Sequence, residues 1–311
     1  MKKKLHIHTP LLASFPLSQL THREIFIKVD ALQPSGSFKD RGIGQLCIHY
    51  AQQGKKGLVS SSAGNAGIAV AYAGKMLGLE VKVVVPSSAL LLTVNKMLAL
   101  GADVITQGEV WNDADLYARQ LTQELDYGYV SPFDHPILWA GYESIIQEFK
   151  KDNLKPDAIV TSVGGGGLFT GLAQGLQALG WEDVALITAE TEGAATLATS
   201  FKQKERVVLK KIDTVATTLG AKQICERAFD LLSQRPVHPQ VVTDKAAVQA
   251  TLNFADDHRV LVEPACGAAL AVVYQDLPVL QKFKKVVVII CGGSGVSLDL
   301  LEKWKTQFNP S

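Results

Sequence analysis

Lys39 stands in the segment Pro34-Ser35-Gly36-Ser37-Phe38-Lys39-Asp40-Arg41-Gly42, behind a run of small, turn-forming residues and next to a stretch able to start a helix. A lysine placed in this way can present its amine to a carbonyl group. Such an amine must be neutral near pH 7, and a desolvated site beside other positive groups lowers its pKa enough to allow that. Three more small-residue segments lie after or near apolar runs: Ser60–Gly67, Gly164–Gly167 and Cys291–Gly295. Each can offer backbone N–H groups to an anion. One lysine and several anion-binding loops together suggest a phosphate-bearing cofactor with an aldehyde.

Gly164, Gly165, Gly166 and Gly167 follow the apolar run Ala158–Ser162 and precede a helical pattern. Four glycines remove every Cβ from the turn, so successive N–H groups can converge on phosphate oxygens at a helix N-terminus. Neither a Walker lysine nor Gly-x-Gly-x-x-Gly spacing is present, which favours a small isolated phosphate over a nucleotide. In Ser60–Gly67 the serines and Asn65 suit helix capping, yet the length of the small polar run also suits a substrate carboxylate, with the Asn65 amide free to bond a cofactor oxygen. Cys291 ends the strand Val286–Ile290; it reads as a small core residue or as a sulfur facing a heteroaromatic ring nitrogen. Asp40 and Arg41 read as a structural pair on the helix after Lys39, and Glu263–Ala269 reads as a helix start led by Pro264.

The composition closes off other chemistries. A net charge of +1 gives no overall basic excess for nucleic acid or an anionic membrane. Cys47, Cys225, Cys266 and Cys291 are scattered, without a Cys-x-x-Cys pair, so neither a zinc site nor a disulfide framework is indicated. No Cys, Asp or Glu near His6 and His8 in the sequence completes a metal-ligand set, and no Gly-x-Ser-x-Gly elbow occurs. No apolar run reaches the roughly 18 residues that a membrane helix needs. The basic start Met1–Lys4 is interrupted by His6, His8 and Pro10 and reads as the N-terminus of a soluble, cytoplasmic protein.

The elements that must position these loops alternate along the chain. Strands are expected at Ile25–Val29, Gly57–Ser60, Val81–Val85, Asp103–Ile105, Ala158–Ser162, Ala185–Ala189 and Val286–Cys291. Helical periodicity marks Asn65–Leu77, Leu92–Leu100, Asp113–Leu125, Leu138–Phe149, Gly166–Leu179, Thr243–Asp256 and Gly267–Gln275. Alternation of this kind predicts an α/β fold of two doubly wound, mainly parallel-sheet lobes, with the cofactor in the cleft between them. The expected domains are 1–37 with 133–311, a large cofactor-binding part, and 38–132, a small substrate-binding part. The N-terminal strand is joined to the larger part on resemblance more than on pattern, and residues 194–239 show no clear period.

In order and spacing these motifs resemble the pyridoxal-phosphate enzymes of the tryptophan-synthase β, or fold type II, group. The likeness is to its serine dehydratases and covers Pro34–Lys39, Ser61–Gly67, Ser162–Leu168, Glu263–Leu270 and Cys291–Ser294. It implies that Lys39 bonds the cofactor aldehyde, Phe38 flanks the pyridine ring, Asn65 meets the phenolic oxygen, and Gly164 through Leu168 hold the phosphate. Ser62, Ala63 and Gly64 would hold the substrate carboxylate. Cys291 would sit near the pyridine nitrogen, where a thiol, unlike an aspartate, would not keep that nitrogen protonated. The resemblance further implies β-elimination of L-serine to pyruvate and ammonia, with L-threonine giving 2-oxobutyrate, and a homodimer. A potassium ion held by Gly164, Ala194 and Leu219 with Glu190 is also implied, against a Glu190 that only caps a strand end. With Asp40 the string Gly-Ser-Phe-Lys-Asp-Arg is shared with threonine synthases. Threonine synthesis, racemisation, β-replacement and a silent cofactor-binding protein are therefore the alternatives. The length leaves no room after the second lobe for an effector domain, so allosteric feedback is not expected.

Overall fold

In the computed structural model residues 4–308 are described, and Met1–Lys3 of the basic start lie outside them. Ten strands occur among the described residues: β1 (Leu11–Ala13), β2 (Glu24–Lys28), β3 (Gly57–Ser60), β4 (Glu80–Val85), β5 (Asp103–Thr106), β6 (Gly128–Tyr129), β7 (Ala158–Ser162), β8 (Ala185–Thr191), β9 (Val237–Val242) and β10 (Lys285–Ile289). They form one sheet in the order β1-β2-β10-β7-β8-β9 and another in the order β5-β4-β3-β6. Every pairing is parallel except that of β1 with β2. Helices supply the crossovers that parallel pairing demands, so the α/β architecture agrees with the alternation in the sequence.

The chain divides into two compact units. One takes the described residues to His8 together with Leu32–Tyr142, the other Thr9–Ala31 with residues 143–308. These bounds differ from the expected 38 and 132, and packing explains why. The helix Pro136–Tyr142 lies against the helix Lys39–Gln52, where a Cβ on Gly42 would come 2.5 Å from the Leu138 carbonyl oxygen. At the start of the chain, the Ile7 N–H donates to Gln33 Oε1 at 2.9 Å and Gln33 Nε2 returns a bond to the Ile7 carbonyl at 3.0 Å.

In the larger unit every residue of β7 and β8 is buried, as expected of strands covered by helices on both faces. The helix Pro264–Tyr274 is buried from Pro264 through Val273. Its small side chains, Ala, Gly, Cys and Val, let neighbours approach on all sides, and an all-round apolar helix belongs in a core. The helix Asp244–His258 packs on it and is started by Thr243, whose hydroxyl accepts from the Ala246 N–H at 3.1 Å. At the end of β2, the fully buried Lys28 donates to Glu148 at 2.6 Å and to the Thr9 carbonyl at 2.7 Å.

In the smaller unit Val59, Val84, Ala114, Ala118 and Leu121 form the core between β3, β4 and the helix Trp111–Leu125. The single helix expected over Leu138–Phe149 is two, Pro136–Tyr142 and Ser144–Lys151. Close packing accompanies the break: a Cβ on Gly141 would meet the Arg41 carbonyl oxygen at 2.6 Å. The untraced 194–239 region holds the helices Thr196–Gln203 and Glu226–Leu231 and the edge strand β9. Pro239 within β9 hid its period, and an edge is where a strand tolerates proline.

Candidate active site

Lys39 opens the helix Lys39–Gln52, with Phe38 as its N-terminal flank in a helical conformation. The Lys39 side chain is half-buried; its ammonium lies 5.0 Å from the Phe38 ring centroid and donates to the Pro132 carbonyl. Phe38 in turn stacks obliquely on Tyr142, with centroids 5.0 Å apart. The Phe38 ring thus lies beside the amine and is backed by Tyr142, while the amine's head reaches a polar carbonyl. Asp40 is buried and accepts from the Ser35 N–H at 2.8 Å, which closes the turn before the lysine.

The loop after β3 lies in the same unit. Ser62, Ala63 and Gly64 are half-exposed, and Asn65 begins the helix Asn65–Leu77. The Gly64 N–H donates to Ser62 Oγ at 3.3 Å, and a Cβ on Gly67 would come 2.0 Å from the Ser62 carbonyl oxygen. Only glycine fits at position 67, so the loop folds tightly over the first helical turn. N–H groups of a first turn lack helical partners and carry partial positive charge, which suits a carboxylate. Ser61, wholly buried, donates to Asp115 Oδ1 at 2.6 Å. Tyr129 donates its hydroxyl to the same carboxylate, and Arg119 Nε reaches Asp115 Oδ2 at 2.8 Å. Burial works to raise the Asp115 pKa, but the bonds from Ser61, Tyr129 and Arg119 outweigh it and hold the carboxyl below its ordinary value.

The glycine turn lies in the other unit, between β7 and the helix Gly167–Ala178. Gly166 has φ +88°, and a Cβ there would meet the Ala228 Cβ at 2.6 Å. The turn is pinned by the Val163 N–H on the Ala189 carbonyl at 3.0 Å and by the Cys225 N–H on the Gly165 carbonyl at 2.9 Å. Gly164 and Gly165 are half-exposed, whereas Leu168 is buried. A turn with no room for a Cβ at Gly166, at the mouth of a helix, fits a phosphate group. Cys291, beyond the end of β10, is buried with its sulfur 3.4 Å from Ser162 Oγ. Burial first, then the neighbouring Cys291 thiol, raises the Cys266 pKa and keeps Cys266 protonated. Glu263 ties this corner together, accepting from Thr218 Oγ1 at 2.8 Å and from the Gly295 N–H at 3.3 Å.

Glu190 is fully buried on β8 and caps the helix Thr196–Gln203: its oxygens accept from the Leu197 and Ala198 N–H groups at 2.7 Å each. Burial pushes its pKa up to about 7 against those bonds. Gly164 lies against Leu219, where a Cβ would be 3.2 Å from the Leu219 Cα. No cluster of three or more His, Cys, Asp or Glu side chains suited to a metal occurs among the described residues.

The expected groups fall into two sets, one in each unit. Lys39, Phe38 and the Ser62–Asn65 loop share one unit; Gly164–Leu168, Cys291, Glu190, Ala194 and Leu219 share the other. The sequence reading gave no part to Tyr142, Asp115 or Tyr129, and it carried Ser162 and Glu263 only within longer motifs. Only the pair Asp115 and Arg119, four apart on one helix, left a visible sign, and it is the sign of an ordinary surface ion pair.

Comparison with known proteins follows the same lines. The profile of the family described as "Pyridoxal-phosphate dependent enzyme" matches residues 3–292. The "L-serine dehydratase/L-threonine deaminase" of Mus musculus is 44% identical over 98% of this chain and 97% of its own length. The "L-serine dehydratase" of Dictyostelium discoideum is 40% identical over 96% of this chain and 92% of its own. Among solved structures, a fungal L-serine ammonia-lyase from Rhizomucor miehei superposes with a TM-score of 0.94 at 36% identity, covering 98% of this chain and all of that one.

Proposed function

Since the chain belongs to the family of pyridoxal-phosphate dependent enzymes, we propose that it is an L-serine ammonia-lyase that converts L-serine to pyruvate and ammonia and accepts L-threonine as a second substrate, giving 2-oxobutyrate. The observation that carries this reading is its nearly full-length likeness, in sequence and in fold, to relatives named for that reaction. The glycine cradle and the half-buried lysine give the cofactor a phosphate site and an amine. When bound, pyridoxal phosphate supplies an aldehyde for amines and a ring that draws electron density from Cα.

The residues then divide the work. Lys39 would provide the amine that holds the cofactor aldehyde, and the same amine would take the proton from the substrate Cα. Ser62, Ala63 and Gly64 hold the substrate carboxylate through backbone N–H groups, which fixes the Cα–H bond toward Lys39. Gly164, Gly165, Gly166, Gly167 and Leu168 would hold the phosphate, Asn65 would bond the phenolic oxygen, and Phe38 would pack against the ring. Cys291 would lie beside the pyridine nitrogen, where a thiol, unlike an aspartate, would not hold that nitrogen protonated, and this would favour loss of the β-hydroxyl over transamination. Asp40, shared with threonine synthases, is engaged with Ser35 and shapes the turn.

The reading has a large cofactor-binding part and a small substrate-binding part, a homodimer, and a cytoplasmic location; no helix among the described residues is long and apolar enough to cross a membrane. It also includes a potassium ion on the carbonyls of Gly164, Ala194 and Leu219 with Glu190, whose oxygens retain lone pairs beyond the helix-capping bonds. Keto-acid release from L-serine, assayed with no thiol acceptor, tests the reaction. Spectral change with serine but no keto acid would instead indicate a silent binder, and activity equal in sodium and potassium would remove the ion.

A further inference from the structure

The helix Trp111–Leu125 buries Ala114, Ala118 and Leu121 in the core of its unit, yet Asp115 lies beside them at 9% exposure. A carboxylate so buried is costly unless it is satisfied, and an apolar side chain would serve simple cohesion as well. What a carboxylate adds is direction. Asp115 Oδ1 receives hydroxyl groups from both Ser61 and Tyr129, and these two hydroxyls stand 3.3 Å apart. Arg119 neutralises the other oxygen, bonds the Tyr129 hydroxyl at 3.3 Å, and lies 4.3 Å over the Tyr129 ring. Ser61 comes between Ser60, the last residue of β3, and the loop Ser62–Gly64. Ser60 is itself bonded to the Val130 carbonyl at 3.2 Å.

We propose that Asp115 is a positioning residue for the carboxylate-binding loop, acting through the hydroxyl of Ser61. This rests on the reading that Ser62–Gly64 hold the substrate carboxylate. The loop is then held at both ends. Asp115 sets the direction in which the chain leaves β3, and the close approach of Gly67 to the Ser62 carbonyl sets where the helix begins. Loosening the first anchor displaces N–H groups that must meet a carboxylate, while the amine of Lys39, on another helix, keeps its place.

The test measures kcat and KM for L-serine and the dissociation constant of glycine, read from the change in cofactor absorbance of the holoenzyme. Asp115→Ala should raise both KM and the glycine constant about tenfold and leave kcat within about twofold, the pattern of lost ground-state positioning. Asp115→Asn keeps an acceptor for Ser61 and should restore most of the loss. Ser61→Ala should reproduce the Asp115→Ala shifts, and the double variant should be no worse than either single one; Ser61→Ala carries the test if Asp115→Ala does not fold. Lowered melting temperature with KM and the glycine constant unchanged would make Asp115 a packing residue and overturn the proposal. Additive effects in the double variant would do the same. If the unmutated protein fails to distinguish L-serine from L-serinamide, the loop does not hold the carboxylate, and the reading falls together with the proposal.

Discussion

Replacing Gly166 by alanine gives the sharpest test of the phosphate cradle. Two costs act at this residue. The left-handed backbone, φ +88°, penalises any Cβ by about 1–2 kcal/mol. The new methyl would also lie 2.6 Å from the Ala228 Cβ, with Cys225 Sγ and Ile224 Cβ each 3.6 Å away. Alanine has no rotamer with which to yield, so overpacking adds about 1–3 kcal/mol. The total is about 2–5 kcal/mol by these two effects. If the turn keeps its shape, this appears as lost stability; if the turn moves, it appears as lost cofactor affinity, at tenfold for each ~1.4 kcal/mol.

Gly180 provides the control. Its φ is +67°, but nothing lies within 4 Å of the site of a Cβ. Gly180→Ala should therefore cost only the backbone term in urea denaturation and leave pyridoxal-phosphate affinity unchanged. For both variants, denaturation of the cofactor-free protein and absorbance titration with cofactor give the two parts of the sum. A Gly166→Ala protein whose summed loss is no greater than that of Gly180→Ala would refute the argument that contact with Ala228 shapes the cradle.

Other expectations concern separate parts of the molecule. Lys39→Ala should remove the visible absorbance of the bound cofactor and reduce keto-acid formation by orders of magnitude; retained full turnover would exclude it as the base. Glu148→Gln should cost about 3–5 kcal/mol in denaturation, because it leaves buried Lys28 without its carboxylate at 2.6 Å. Replacing both partners by apolar residues should cost less than that single change. Burial, opposed by Asp257 and aided by Arg259, depresses the pKa of His258, whose Nε2 lies 2.8 Å from Ser14 Oγ. The unfolded chain then binds a proton more readily, so this contribution is complete above pH 6.5, the ordinary value, and is lost as pH falls toward the depressed one. His258→Gln should show a shallower loss of stability between pH 7 and pH 5.5 than the parent protein in paired denaturation curves. Cys291→Asp should increase the fraction of cofactor lost to transamination during serine turnover, as measured by accumulation of its amine form.

Much of this protein was legible because parallel strands covered on both faces read as unbroken β-branched runs. β7, β8 and β10 could be located from Ala158–Ser162, Ala185–Ala189 and Val286–Cys291 for that reason. β1 was not, since three residues at a sheet edge have no period to detect, and β9 was hidden by Pro239. Loops rich in glycine and serine advertise their chemistry locally, which made Lys39, Asn65 and Gly164–Leu168 candidates. Partners that meet only through folding were not visible. Nothing near Ser162 in the sequence announces Cys291, and Ser61 and Asp115 are joined by the packing of a helix on β3 and β4.

The helix Pro264–Tyr274 has no solvent-facing side from Pro264 to Val273. Most helices tolerate change on one face and resist it on the other, so a survey of random substitutions records a wave of about 3.6 residues. Along this helix that wave should be flat, with intolerance at every successive position. Its amide hydrogens should also be among the last to exchange with heavy water, since exposing them requires the unit around them to open.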